Sequence, residues 1–82
     1  MPDQTQLRND LIVAYADLSA ALGGFLGNLF GSDVDTPAKS ATKRASTLEN
    51  LGLVTLTEPQ ETLKATMLTK WDAHDAAFPG GG

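Results

Sequence analysis

The stretch LIVAYADLSAALGGFLGNLF, residues 11–30, decides how this chain folds. Within it Leu11, Tyr15, Leu18, Leu22, Phe25 and Leu29 step by 4, 3, 4, 3 and 4 positions. Such steps repeat a heptad and stack one apolar stripe along one side of an α-helix. Ile12 and Leu26 widen the stripe enough for two neighbouring helices to cover it. With Asp3 placed to accept hydrogen bonds from the first free N–H groups, the pattern predicts a helix over residues 4–30. Its seam, Leu11 to Leu29, is the expected interaction surface.

The same stretch carries a second period. Gly23, Gly27 and Gly31 recur every four residues, with Ser19 one step earlier and Gly24 alongside. Each glycine inside a helix costs about 1 kcal/mol against alanine, so something must offset them. The first expectation is a close-packing ridge on which another backbone rests. The second is a kink or early end at Gly23-Gly24, and the third a small-residue ridge pairing helices in a membrane. Residues 11–30 are long enough to span a bilayer and contain one formal charge, Asp17. A carboxylate within a span costs about 2.5 to 3.5 kcal/mol, so a single-pass membrane subunit using helix 11–30 is the alternative and not the first reading.

Outward from this stretch the punctuation is helical. Gly31 to Asp35 form a turn cluster, and Thr36-Pro37 gives an N-cap followed by proline at the first helical position. Helix two, 37–51, places Ala38, Ala41, Ala45, Leu48 and Leu51 at helical spacing, and Gly52 is expected to close it at positive φ. Residues 53–57 alternate like a strand but have no partner strand, which makes them an extended connector. Thr57 and Gln60 fit a capping box for helix three, roughly 58–77. Its stripe is Leu63, Met67 and Trp71, continued by His74 and Phe78 with Leu68 beside it, and Trp71 is the expected anchor of a lid over helix one. Residues 79–82, Pro-Gly-Gly-Gly, form the expected flexible tail. The fold class is therefore all-α, a helical hairpin or open three-helix arrangement in a single domain, 1–78.

Composition narrows the function. Eighty-two residues bury a modest fraction of their surface, and with no cysteine there is neither a disulfide nor a thiolate metal site. Six basic against ten acidic residues give a net charge of −4, the wrong sign for sequence-independent nucleic-acid binding. Lys39, Lys43 and Arg44 concentrate half the positive charge and form a candidate patch for an acidic partner or a phosphate, weighed against a solvated helix face. Asp33-x-Asp35 begins like a calcium loop, but the twelfth position is Arg44 and no glycine stands at the sixth. His74 lies between Asp72 and Asp75, which fall on a different helix face from it. No nucleophile-and-base pair assembles from these residues, so no catalytic residue, cofactor, metal or small-molecule substrate is expected.

Leu48-Glu49-Asn50-Leu51-Gly52-Leu53-Val54 resembles the end of a winged-helix recognition helix running into its wing strand. That resemblance implies a DNA-binding regulator using helix 37–51, with Lys43 and Arg44 at phosphates or bases. The preferred expectation is a non-enzymatic structural or adaptor subunit. It would dock through its apolar N-terminal helix into a larger protein assembly, such as a multi-subunit shell or virion, or self-associate. The N-terminus carries no signal-peptide pattern, so a cytoplasmic protein or a component of an intracellularly assembled particle is expected.

Overall fold

A computed structural model of the chain describes residues 3–77. It is all-α, with helices α1 (Gln4–Ala21), α2 (Pro37–Leu51) and α3 (Glu58–Ala76), a 3-10 turn at Gly31–Val34, and no strand among the described residues. The expected Phe78 contact and the tail 79–82 lie outside the described residues.

Each helix start follows its sequence signal. The Asp3 carboxylate accepts from Gln6 N at 2.8 Å, and the Thr36 hydroxyl accepts from Lys39 N at 3.2 Å ahead of Pro37. Thr57 and Gln60 complete a reciprocal capping box, in which Thr57 N donates to Gln60 Oε1 at 2.9 Å. Gln60 does more than cap its own helix. Its Nε2 donates to the Ala21 carbonyl at 3.0 Å, so one side chain ties the start of α3 to the end of α1. The two helices are antiparallel, and Tyr15 meets Trp71 edge-on halfway along them, ring centroids 6.3 Å apart.

Helix α1 stops well short of residue 30, and the close-packing ridge does not form. Gly23 at φ +68° takes the left-handed conformation just past the helix. Its N–H bonds Ala20 O, and Gly24 N–H reaches back to Ser19 O at 2.8 Å. This is the bond pattern of a Schellman ending, which glycine, having no Cβ, makes in the left-handed conformation at low cost. Gly24 and Gly27 also have positive φ, and a Cβ at Gly23, Gly24 or Gly27 would meet nothing within 4 Å. Their glycines serve backbone conformation and not close approach. Of these ridge glycines Gly31 alone is crowded, by the Arg8 side chain 3.2 Å from a Cβ placed there.

Residues 22–30 therefore run back along α1 as a strap. Gln60 marks the end of α1 where the strap begins, Tyr15 Oη donates to Leu26 O at 3.1 Å midway, and Arg8 meets Gly31 near the other end. Helix α2 then returns antiparallel to α3, with Ser40 beside Trp71 and Asp75 and Arg44 beside Asp72. The core is Leu11, Tyr15 and Leu18 of α1, Met67 and Trp71 of α3, and Leu29, Val34 and Leu51 closing it. Half-buried Leu22, Leu26, Leu56, Leu63 and Leu68 pack around them. Gly52 ends α2 at φ −70°, not at the positive φ expected of it, because its N–H already satisfies Leu48 O and Glu49 O in a right-handed turn.

Candidate functional site

The structure distributes the expected seam unevenly. Leu11, Tyr15 and Leu18 are buried beneath α3, Leu22 is half-buried, and Leu29 is buried from the strap and not from a helix. Phe25 remains 45% exposed. The seam is largely satisfied within one chain, because the antiparallel α3 presents Met67 and Trp71 to it. The stretch 11–30, weighed as an alternative membrane span, is two separate structures, and no helix of the described residues is long and apolar enough to cross a membrane.

Helix α2 holds the larger surprise. It buries Ser40, Thr47 and Leu51, with Lys43 and Arg44 half-buried, whereas Ala38, Ala41, Ala45 and Leu48 point to solvent. The polar stripe faces inward and the alanine-rich stripe outward. What permits this is a buried hydrogen-bond chain. Trp71 Nε1–H donates to Ser40 Oγ at 2.8 Å, and Ser40 donates in turn to Asp75 Oδ1 at 2.6 Å. His74, fully buried, places Nδ1 3.2 Å from the same oxygen, correcting the expectation that Asp75 lies on a different face from it. Arg44 Nη1 bonds Asp72 Oδ1 at 2.7 Å and stands 3.9 Å from Asp75 Oδ2. An indole N–H and a hydroxyl that would each cost free energy if buried alone are thereby satisfied together.

This cluster contains serine, aspartate and histidine, but in the wrong order for nucleophilic catalysis. A serine nucleophile needs histidine between it and the carboxylate, and here Asp75 sits between Ser40 and His74. Ser40 is also fully enclosed, with its oxygen accepting from Trp71. Its chemistry is that of a bolt between α2 and α3.

The basic patch is divided. Arg44 turns inward to Asp72, Lys39 pairs with Asp35 at 3.4 Å, and Lys43 lies 5.9 Å over the Tyr15 ring. Lys39 and Lys43 still share an open groove of about 590 Å³ between α2 and the 3-10 turn, with Ser32, Asp33, Thr42 and Ser46. Of the calcium-like pair, Asp33 instead accepts from Phe30 N at 3.0 Å, and no cluster able to hold a metal ion occurs among the described residues. The wing strand implied by the winged-helix resemblance is absent, since residues 53–57 form no strand.

The inward-facing residues that the sequence pattern did not single out are Ser40 and Thr47. Their signal was an i, i+7, i+11 line through Ser40, Thr47 and Leu51, which hydropathy alone discards because two of the three are polar. Comparison of the chain with protein-family models, with curated proteins and with solved structures gives no match.

Proposed function

We propose that this protein is a non-enzymatic structural or adaptor subunit that docks onto a protein partner through the outward face of α2. The observation that supports the reading is the inversion of that helix. Ala38, Ala41, Ala45 and Leu48 form an apolar stripe on solvent, and Leu53, 75% exposed, follows where Gly52 N–H bonds Leu48 O. A helix whose apolar stripe is left uncovered by its own domain marks a surface that association would bury. Small side chains along it let another helix or sheet approach closely, and Leu48 and Leu53 supply the larger apolar contacts. Because α3 covers most of the α1 seam, this reading takes the exposed face of α2, and not the α1 seam that the sequence pattern suggests, as the docking surface.

The test is a photo-cross-linking residue placed at Ala45 and, as the control, at Glu61 on the exposed side of α3, each expressed in native cells. A discrete adduct of fixed mass from Ala45 and none from Glu61 is expected. No adduct from Ala45, or equal adducts from both positions, contradicts the reading.

A further inference from the structure

The geometry points to a latch with two positions: residues 22–30 lie either as the strap, with α2 bolted to α3, or as the continuation of α1, with α2 released. It holds whatever binds the outward face of α2. The heptad of α1 does not stop where the helix does. Leu22, Phe25 and Leu29 extend the steps of Leu11, Tyr15 and Leu18 without a break, and no proline occurs between Asp3 and Thr36. The helix ends at Ala21 because Gly23, Gly24 and Gly27 take positive φ, not because the pattern runs out. The resulting strap is lightly held. Of its large apolar side chains only Leu29 is buried, Phe25 and Phe30 are 45% and 62% exposed, and Tyr15 Oη bonds its backbone midway, at Leu26 O.

The α2 bolt and a continuous α1 exclude each other. In the strap, Gly31 lies against the Arg8 side chain. On a helix continued through Phe30, at about 1.5 Å per residue, Gly31 would stand roughly 34 Å from Arg8. The chain from Gly31 to Pro37 reaches about 20 Å at full extension. It starts from a compact arrangement, in which Ser32 and Asp33 of the 3-10 turn line one groove with Ala38 and Lys39 of α2. Residues 32–36 cannot span the gap, so lengthening α1 draws α2 off α3 and takes Ser40 away from Trp71 and Asp75. The three glycines set the balance between the positions. A Cβ at Gly23, Gly24 or Gly27 meets nothing within 4 Å, so alanine there brings no steric clash to the strap. It disfavours the left-handed conformations that the strap requires and favours helix, and both effects act towards the long α1.

The test measures distances between pairs of spin labels, which the absence of cysteine makes site-specific. Asn9→Cys with Ser32→Cys reads the strap, and Ser46→Cys with Thr69→Cys reads α2 against α3; all four positions are exposed. With the glycines and Ser40 intact, both pairs are expected at short distances. In G23A/G24A/G27A the first pair is expected to move out to about 30 Å or more, and the second to lengthen in the same variant. Ser40→Val, which removes the bolt and leaves the glycines, should add a long-distance population to the first pair. Circular dichroism reports whether each variant stays helical. Short distances kept by a helical G23A/G24A/G27A, a lengthened first pair with the second unchanged, or short distances alone in Ser40→Val overturn the latch. If the triple variant loses its helical signal, Gly23→Ala is read in its place: a long-distance population supports the latch, and short distances alone overturn it.

Discussion

At the scale of single residues, backbone conformation and hydrogen-bond capacity decide outcomes that hydropathy does not foresee. Gly23 and Gly24 sit at φ +68° and +84° with open space where a Cβ would be. A residue with a side chain pays there for its backbone alone. Gly23→Ala should therefore lower stability by about 1 to 2 kcal/mol, with no steric contribution, as a denaturant titration would show. Gly27→Leu should likewise destabilise, through its φ of +71° and not through overpacking. The glycine spacing was visible in the sequence, yet four-residue recurrence suits a ridge and a series of left-handed turns equally. What settles it is the Schellman bonding at Ser19 and Ala20, which depends on where the next segment must go. Gln60 makes a similar point. Its cap on Thr57 was legible from spacing, while its bond to Ala21 O needed the antiparallel pairing of α1 and α3.

At the scale of elements, the starts of the helices follow side-chain chemistry and their facing follows packing. Thr57→Ala removes the hydroxyl that accepts from Gln60 N, and a loss of about 0.5 to 2 kcal/mol is expected by thermal unfolding. The Leu63, Met67 and Trp71 stripe of α3 was readable because large apolar residues at helical spacing rarely point outward, and Met67 and Trp71 are fully buried. Trp71, the sole tryptophan, should therefore emit in the blue and move red on denaturation; emission already at the solvated position would contradict its burial. Helix α2 misleads because alanine contributes too little area to compel burial, about 25 cal/mol per Å² applied to a single methyl. The Trp71–Ser40–Asp75 chain outweighs it, and the helix turns accordingly.

At the scale of the whole molecule, α1 and α3 form the tightly packed pair, the strap of residues 22–30 closes one side, and α2 is bolted on through polar groups. The all-α class and three-helix order were legible in the sequence, whereas the exposed alanine stripe of α2 was not, because the strongest apolar stripe belongs to the helix that the chain covers for itself. Leu18→Asp should accordingly unfold the isolated chain, placing a carboxylate where Leu18 is fully buried, at a cost on the order of several kcal/mol. Loss of association with helicity intact in that variant would instead favour a seam open to partners. The central claim, that α2 presents its polar stripe to the core and its alanine stripe to solvent, is tested most directly by comparing the melting temperatures of Ser40→Val and Ala45→Glu. Ser40→Val strands the Trp71 indole N–H and should cost about 1 to 3 kcal/mol, or about 4 to 8 °C for each kcal/mol in a domain of this size. Ala45→Glu should melt within about 2 °C of wild type, as an exposed surface substitution does. The reverse ranking, with Ala45→Glu unfolded and Ser40→Val unchanged, would show that the alanine stripe is the core of the molecule.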